Sequence, residues 1–249
     1  MPASTLAAAP AAPGYYGKLP VRGDFIGRRL GRSFVDAWDN WLQEAIYTSR
    51  AELGERWLDL YLGSPIWRFA LSGGVCGPEG VAGVMIPSVD SVGRYFPLMV
   101  GGALGSDIDL ETLVTQSDEW YGAIEARILS TLEPGFTLDL LEATLPTEPS
   151  CEASRSKGSE QLSPPNWYFP TGAGNQISPH GLERLRGMRP PASIWWTEGS
   201  EHVAPCCLVC AGLPSPRSFG SMLDGCWQER NWMALEQDRN GSDLPRQEE

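Results

Sequence analysis

Histidine and cysteine usage narrows the chemistry open to this chain before any fold is considered. It holds two histidines, His180 and His202, and six cysteines. His180 lies between Pro179 and Gly181, and His202 lies just past the turn Glu198-Gly199-Ser200. Neither sits three or four residues from another plausible ligand on a clear helix, so both read as ordinary surface histidines. Cys207-Leu-Val-Cys210, with Cys206 beside it, has the C-x-x-C spacing of redox and metal sites. Its neighbours are apolar and strand-like, and alternation along a strand would send Cys207 and Cys210 to opposite faces. No second C-x-x-C completes a zinc set, so these thiols read as small buried hydrophobes. G-x-S-x-G, G-x-x-x-x-G-K-[ST] and G-x-G-x-x-G motifs are missing as well. The expectation is a protein that is not an enzyme and carries no metal or cofactor.

One polar constellation remains. Lys18, Arg22 and Asp24 lie in the first ordered segment, and Asp90 and Arg94 lie in the loop Pro87 to Pro97. Two carboxylates and three cations among apolar neighbours fit an acid/base or anion site, a contact surface for a partner, or salt bridges that hold two loops in register. These five residues are the candidate partner-binding site. The tryptophans invite the same question, because Trp38, Trp41, Trp57, Trp67, Trp195 and Trp196 are of a type enriched in binding hot spots. Their helical or strand spacing assigns most to the core, leaving one of Trp195 and Trp196 as an interface candidate.

The elements that must position these residues follow from periodicity. Gly14 to Pro20 reads as a short strand or tight turn. Ser33 is a fair N-cap for a helix to about Arg50, with Phe34, Trp38, Trp41, Leu42, Ala45 and Ile46 on one face. A second helix, from about Glu52, stops at Gly63-Ser64-Pro65. Ile66 to Leu71 alternates as a strand, Val81 to Ile86 is a nearly all-apolar one, and Tyr95 to Val100 leads into a third. A single long amphipathic helix is expected from about Asp107 to Leu132. Phe136 to Leu145 fits strand or helix. Ser193 to Thr197 and Pro205 to Ala211 form a hairpin, followed by a short helix from Pro216 to Leu223. Strands mixed with packed helices imply an α/β layered domain over 14–235, between a disordered lead-in at 1–13 and a polar tail at 236–249. Residues 146–165, rich in Ser, Pro, Glu and Lys, read as a mobile loop inside that domain.

Composition sets the outer limits. In 249 residues, 42% hydrophobic and 20% charged, there is ample material for a core that needs no disulfide or metal. The net charge of -12 disfavours nucleic acid and anionic membrane surfaces. The clusters Arg28-Arg29-x-x-Arg32 and Arg184-Leu-Arg186-x-x-Arg189 are too short to reverse that. No apolar run reaches transmembrane length, and residues 1–13 lack the basic and apolar regions of a secretory signal, so no membrane insertion and a cytoplasmic location are expected. Six irregularly spaced cysteines agree with a reducing compartment.

Four segments together resemble the TagF (ImpM) family: Gly14-Tyr-Tyr-Gly-Lys-Leu-Pro-Val-Arg-Gly-Asp-Phe25, Ser33-Phe-Val-Asp-Ala-Trp-Asp-Asn-Trp-Leu42, Ser64-Pro-Ile-Trp-Arg-Phe69 and Pro87-Ser-Val-Asp-Ser-Val-Gly-Arg-Tyr-Phe-Pro97. The likeness is strong over about 14–105 and looser toward the C-terminus. It implies a three-layer α/β/α sandwich with a mixed, largely antiparallel sheet. It also implies a post-translational repressor of type VI secretion in Gram-negative bacteria, acting on the forkhead-associated-domain scaffold of that system. Some relatives carry a fused PP2C-type phosphatase. This chain has no room for one beside its TagF-like part, so a phosphatase would be a separate protein. The resemblance supplies no catalytic residues. A cysteine- or carboxylate-dependent hydrolase and a structural subunit of the apparatus stand as alternatives.

Overall fold

The computed structural model describes residues 12–104, 110–143, 166–172, 176–186 and 191–234. The expected loop at 146–165, the tail at 236–249 and all but the last two residues of the lead-in lie outside them. Nine strands of the described chain form one sheet: β1 Gly14–Gly17, β2 Ile26–Arg28, β3 Trp67–Leu71, β4 Gly80–Ile86, β5 Leu98–Leu104, β6 Trp167–Pro170, β7 Ala192–Thr197, β8 Cys206–Ala211 and β9 Met233–Ala234. Their order is β2-β1-β5-β4-β3-β7-β8-β6-β9. Every pairing is antiparallel except β6 with β9, which is parallel.

Helices cover both faces of the sheet because its central strands are apolar on both sides. Trp67, Phe69 and Leu71 of β3 face one layer, made of α1 (Arg32–Leu53), α2 (Trp57–Leu62) and the one-turn helices Pro216–Phe219 and Ser221–Asp224. Ala70, with Ala82, Val84 and Ile86 of β4, faces the other layer, to which helices Leu110–Gln116, Asp118–Ser130, Leu138–Ala143 and Pro179–Arg186 contribute. The result is a three-layer α/β/α sandwich.

The stripe on α1 builds the centre of the first layer. Trp38 is fully buried, with Phe34, Trp41, Phe69 and Trp195 at ring-centroid distances of 5.4, 5.1, 4.9 and 5.8 Å. Removing such a side chain from water contributes about 2 kcal/mol or more to folding. Trp195 and Trp196 occupy successive positions on β7 and so point to opposite faces, each into its own covered layer. Both are buried, at 0% and 1% exposure, so neither is an interface residue.

Several expectations need adjusting. The helix expected over 107–132 divides at Ser117, whose backbone (φ -110°, ψ 21°) is not helical, into Leu110–Gln116 and Asp118–Ser130. Asp118 and Glu119 then start the second helix, where the dipole favours acidic residues. The segment read as strand or helix contains the helix Leu138–Ala143. β5 begins at Leu98, after Pro97, which has no N–H for a ladder. The short helix at 216–223 is two single turns that meet at Gly220. Strands β2, β6 and β9 and the helix Pro179–Arg186 carried too little periodicity to be anticipated.

β3 also holds a charge in a buried strand. Arg68 is 5% exposed and faces the second layer, where Nε and Nη2 donate to Glu125 at 2.6 and 3.0 Å and Nη1 donates to Asp118 at 2.5 Å. Both acids lie on the helix Asp118–Ser130, so one side chain fixes that helix on the sheet.

Candidate functional site

β1 pairs with β5 and β5 with β4, so the segment leaving β1 and the loop joining β4 to β5 emerge at the same end of the sheet. The chain needs an unusual backbone to leave β1. Gly17 has φ +138°, and a Cβ there would stand 2.1 Å from the Pro97 carbonyl oxygen, so only glycine fits. Lys18 follows and is turned inward.

In the β4–β5 loop, an isolated bridge between Val89 and Tyr95 closes the tip. Within it, the Asp90 N–H donates to the Arg94 carbonyl at 3.0 Å and the Gly93 N–H to the Asp90 carbonyl at 3.0 Å. The Asp90 carboxylate completes the turn. Its Oδ1 accepts from the N–H groups of Val92 (3.0 Å) and Arg94 (2.8 Å), an Asx-type arrangement. Its Oδ2 accepts from Lys18 Nζ at 2.5 Å and Arg94 Nε at 2.7 Å.

Asp90 is 4% exposed, and with two donors on each oxygen its acceptor positions are filled. Burial by itself would raise its pKa. The hydrogen bonds from Lys18 and from Arg94 outweigh that and hold the carboxyl well below the usual carboxylate range. A carboxylate so held is a poor proton acceptor.

The loops are tied to each other and to α2. The Ser91 N–H donates to the Arg22 carbonyl at 3.0 Å, and Arg94 Nη2 donates to the Gly23 carbonyl. Ser88 Oγ donates to the Lys18 carbonyl at 2.8 Å. The Tyr61 hydroxyl donates to the Ser88 carbonyl (2.9 Å) and accepts from its N–H (3.1 Å).

The five candidate residues therefore separate. Lys18, Asp90 and Arg94 are brought into one ion cluster. Arg22 and Asp24 are exposed, and among the described residues their side chains join no ion pair or hydrogen bond; Arg22 contributes only backbone groups, its N–H to the Leu19 carbonyl and its carbonyl to the Ser91 N–H. The Asp24/Asp90 pair weighed as an acid/base couple is not assembled.

Phe25 is a component that sequence reasoning missed. Its ring stacks on Tyr16 (5.6 Å, 17°), meets Phe96 edge-on (4.8 Å, 79°) and has Lys18 Nζ 4.8 Å from its centroid. The available signal was the aromatic that closes Gly23-Asp24-Phe25, beside the cation that the loop buries.

The cysteine cluster has the geometry of a core. Cys206 and Cys210 face the α1 layer and Cys207 the opposite one. Burial pushes the Cys206 and Cys210 thiols up to about 12 and Cys207 well above its ordinary value, so little thiolate is available.

Residues 14–147, more than half of the chain, match the model of the TagF N-terminal domain, described as type VI secretion system-associated. The two loops of the site lie within that match. The chain belongs to the TagF family. A crystal structure of PA0076 from Pseudomonas aeruginosa PAO1 is similar over 94% of this chain and 97% of that one, at 36% sequence identity and a TM-score of 0.70. No curated protein matches the chain. Together these establish a TagF-like domain associated with type VI secretion and an α/β fold shared with a solved structure. No helix among the described residues is long and apolar enough to cross a membrane.

Proposed function

We propose that this TagF-family chain is a cytoplasmic regulatory binding protein that represses type VI secretion after translation, by engaging the forkhead-associated-domain scaffold of the system. It works without a cofactor and not as an enzyme, and its action is linked to that of a separate PP2C-type phosphatase. One observation carries the reading. Three of the five charged groups that sequence alone left open to catalysis are engaged in bracing two loops: Asp90 has no free acceptor position, and Lys18 and Arg94 are bound to it. A cluster built in this way stiffens a surface and offers no reactive group, which suits recognition of a protein partner.

Titration calorimetry of the purified chain against the scaffold, phosphorylated and unphosphorylated, tests this. Binding at micromolar or tighter, about 8 kcal/mol or more, is expected. A difference between the two forms would show phosphate control. Absence of heat with both would refute the scaffold as partner.

A further inference from the structure

Around the brace the protein leaves apolar side chains in water. Val21 is 51%, Phe25 44% and Val92 67% exposed, on the two loops that the Ser91–Arg22 and Arg94–Gly23 hydrogen bonds join. Phe25 does not lie loose on the surface. Tyr16, Phe96 and the Lys18 ammonium hold its ring from several sides, so little side-chain entropy remains to be lost when something packs on its outer edge. An aromatic that is both exposed and immobilised in this way has the character of a binding hot spot.

The charge around it runs against that of the whole molecule. Residues 14–32 and 87–97 contain six cations, Lys18, Arg22, Arg28, Arg29, Arg32 and Arg94, and two carboxylates, Asp24 and Asp90, in a chain whose net charge is -12. Glu142 reaches Arg28 and Arg29, and Asp36 reaches Arg32. Arg22 is left without a carboxylate partner among the described residues, and the Arg94 side chain is 58% exposed with its Nη1 unused by the brace. Asp24 is the exposed acid of these two loops, and beyond them Asp39 accepts from the hydroxyl of Tyr16, the ring stacked on Phe25. An acidic partner would be repelled over most of this surface and attracted here, which selects both position and orientation of encounter.

We propose that the loop pair is a docking surface for an acidic segment of the protein partner. An apolar side chain of that segment packs on Phe25, Val21 and Val92, and its carboxylates pair with Arg22 and Arg94. The inference rests on the reading of the chain as a regulatory binding protein and adds which face binds and what chemistry it recognises. Lys18 and Asp90 act as positioning residues, because they hold Phe25 and the turn and do not face outward.

The test compares the wild-type chain with Phe25→Ala/Val92→Ser and with Arg22→Glu. All three positions are exposed, so the variants should keep the wild-type fold, checked by circular dichroism and melting temperature. In calorimetry against the scaffold each variant should lose about tenfold or more in affinity, and Arg22→Glu should also flatten the salt dependence. Affinities within about twofold of wild type for both variants would overturn the docking surface while leaving the proposed partner intact. If the wild-type chain itself gives no heat, the scaffold reading fails and the surface is decided in cells by secretion of the system's tube protein under overproduction. Loss of repression by both variants at equal protein level then supports the surface, and wild-type repression by both overturns it.

Discussion

Replacing Arg68 with methionine keeps much of the aliphatic stem and deletes the charge that joins β3 to the helix Asp118–Ser130. The two acids it binds are not equivalent: Glu125 is 22% exposed at its side chain and Asp118 is 79% exposed. Asp118 can be rehydrated, so its pair with Arg68 contributes at most about 1 kcal/mol. Glu125 accepts two of the guanidinium hydrogen bonds and stays largely shielded when they are lost. Removing one partner of a buried pair typically costs 3–5 kcal/mol, and the partial exposure of Glu125 argues for the low end, about 3 kcal/mol. For a chain of this size that is a fall in melting temperature of roughly 6–12 °C. The second variant isolates the cause. Most of that cost comes from an unpaired carboxylate, so Arg68→Met/Glu125→Gln should be more stable than Arg68→Met by about 1–2 kcal/mol, a clear non-additivity in the cycle. Chemical denaturation of the wild type, both single variants and the double variant measures it. A loss below about 1 kcal/mol for Arg68→Met, or simple additivity, would refute the account of Arg68 as the tie between sheet and helix.

Other expectations follow from the site and the core. Because the carboxyl pKa of Asp90 is depressed in the folded protein, its contribution to stability is present above the unfolded value near 4 and is lost as pH falls below it toward the depressed folded value. In acid unfolding, the advantage of the wild type over Asp90→Asn should therefore be constant near neutrality and shrink below about pH 4; an advantage independent of pH would contradict the ion cluster. Gly17→Ala places a Cβ against the Pro97 carbonyl at positive φ and should cost about 2 kcal/mol in thermal unfolding. Among the described cysteines, Cys226 is exposed and the other four are buried. Mass-spectrometric mapping of a native thiol-labelling reaction should find Cys226 modified, and Cys76, Cys206, Cys207 and Cys210 modified only on unfolding.

Much of the architecture is legible in local pattern. Alternation in Trp67-Arg-Phe-Ala-Leu71 and in Cys206 to Cys210 fixes which side chains face together, because the two-residue repeat of a strand is set by backbone geometry. The same rule separated Cys207 from Cys210 in sequence and separates them in the fold. The stripe from Phe34 to Ile46 likewise defines a helix with one buried face. Where local signals are short or mixed, reading fails. β9 has two residues, and the break at Ser117 lies inside a stretch whose apolar spacing continues across it.

By itself the sequence determined the class of the protein: a large mixed α/β core, an acidic surface, motifs shared with the TagF family, and a set of charged residues in two segments. It also gave the faces of the main strands, since covalent geometry dictates them. Only the tertiary structure decided which charges meet. Lys18 and Asp90 lie 72 residues apart and touch because β5 pairs with both β1 and β4, a register no local pattern states. It decided too that Arg22 and Asp24 stay in water while Lys18 and Asp90 are buried, and that Phe25 is held at the surface by Tyr16, Phe96 and Lys18. Exposure is set by what other segments cover, and that is a property of the assembled chain.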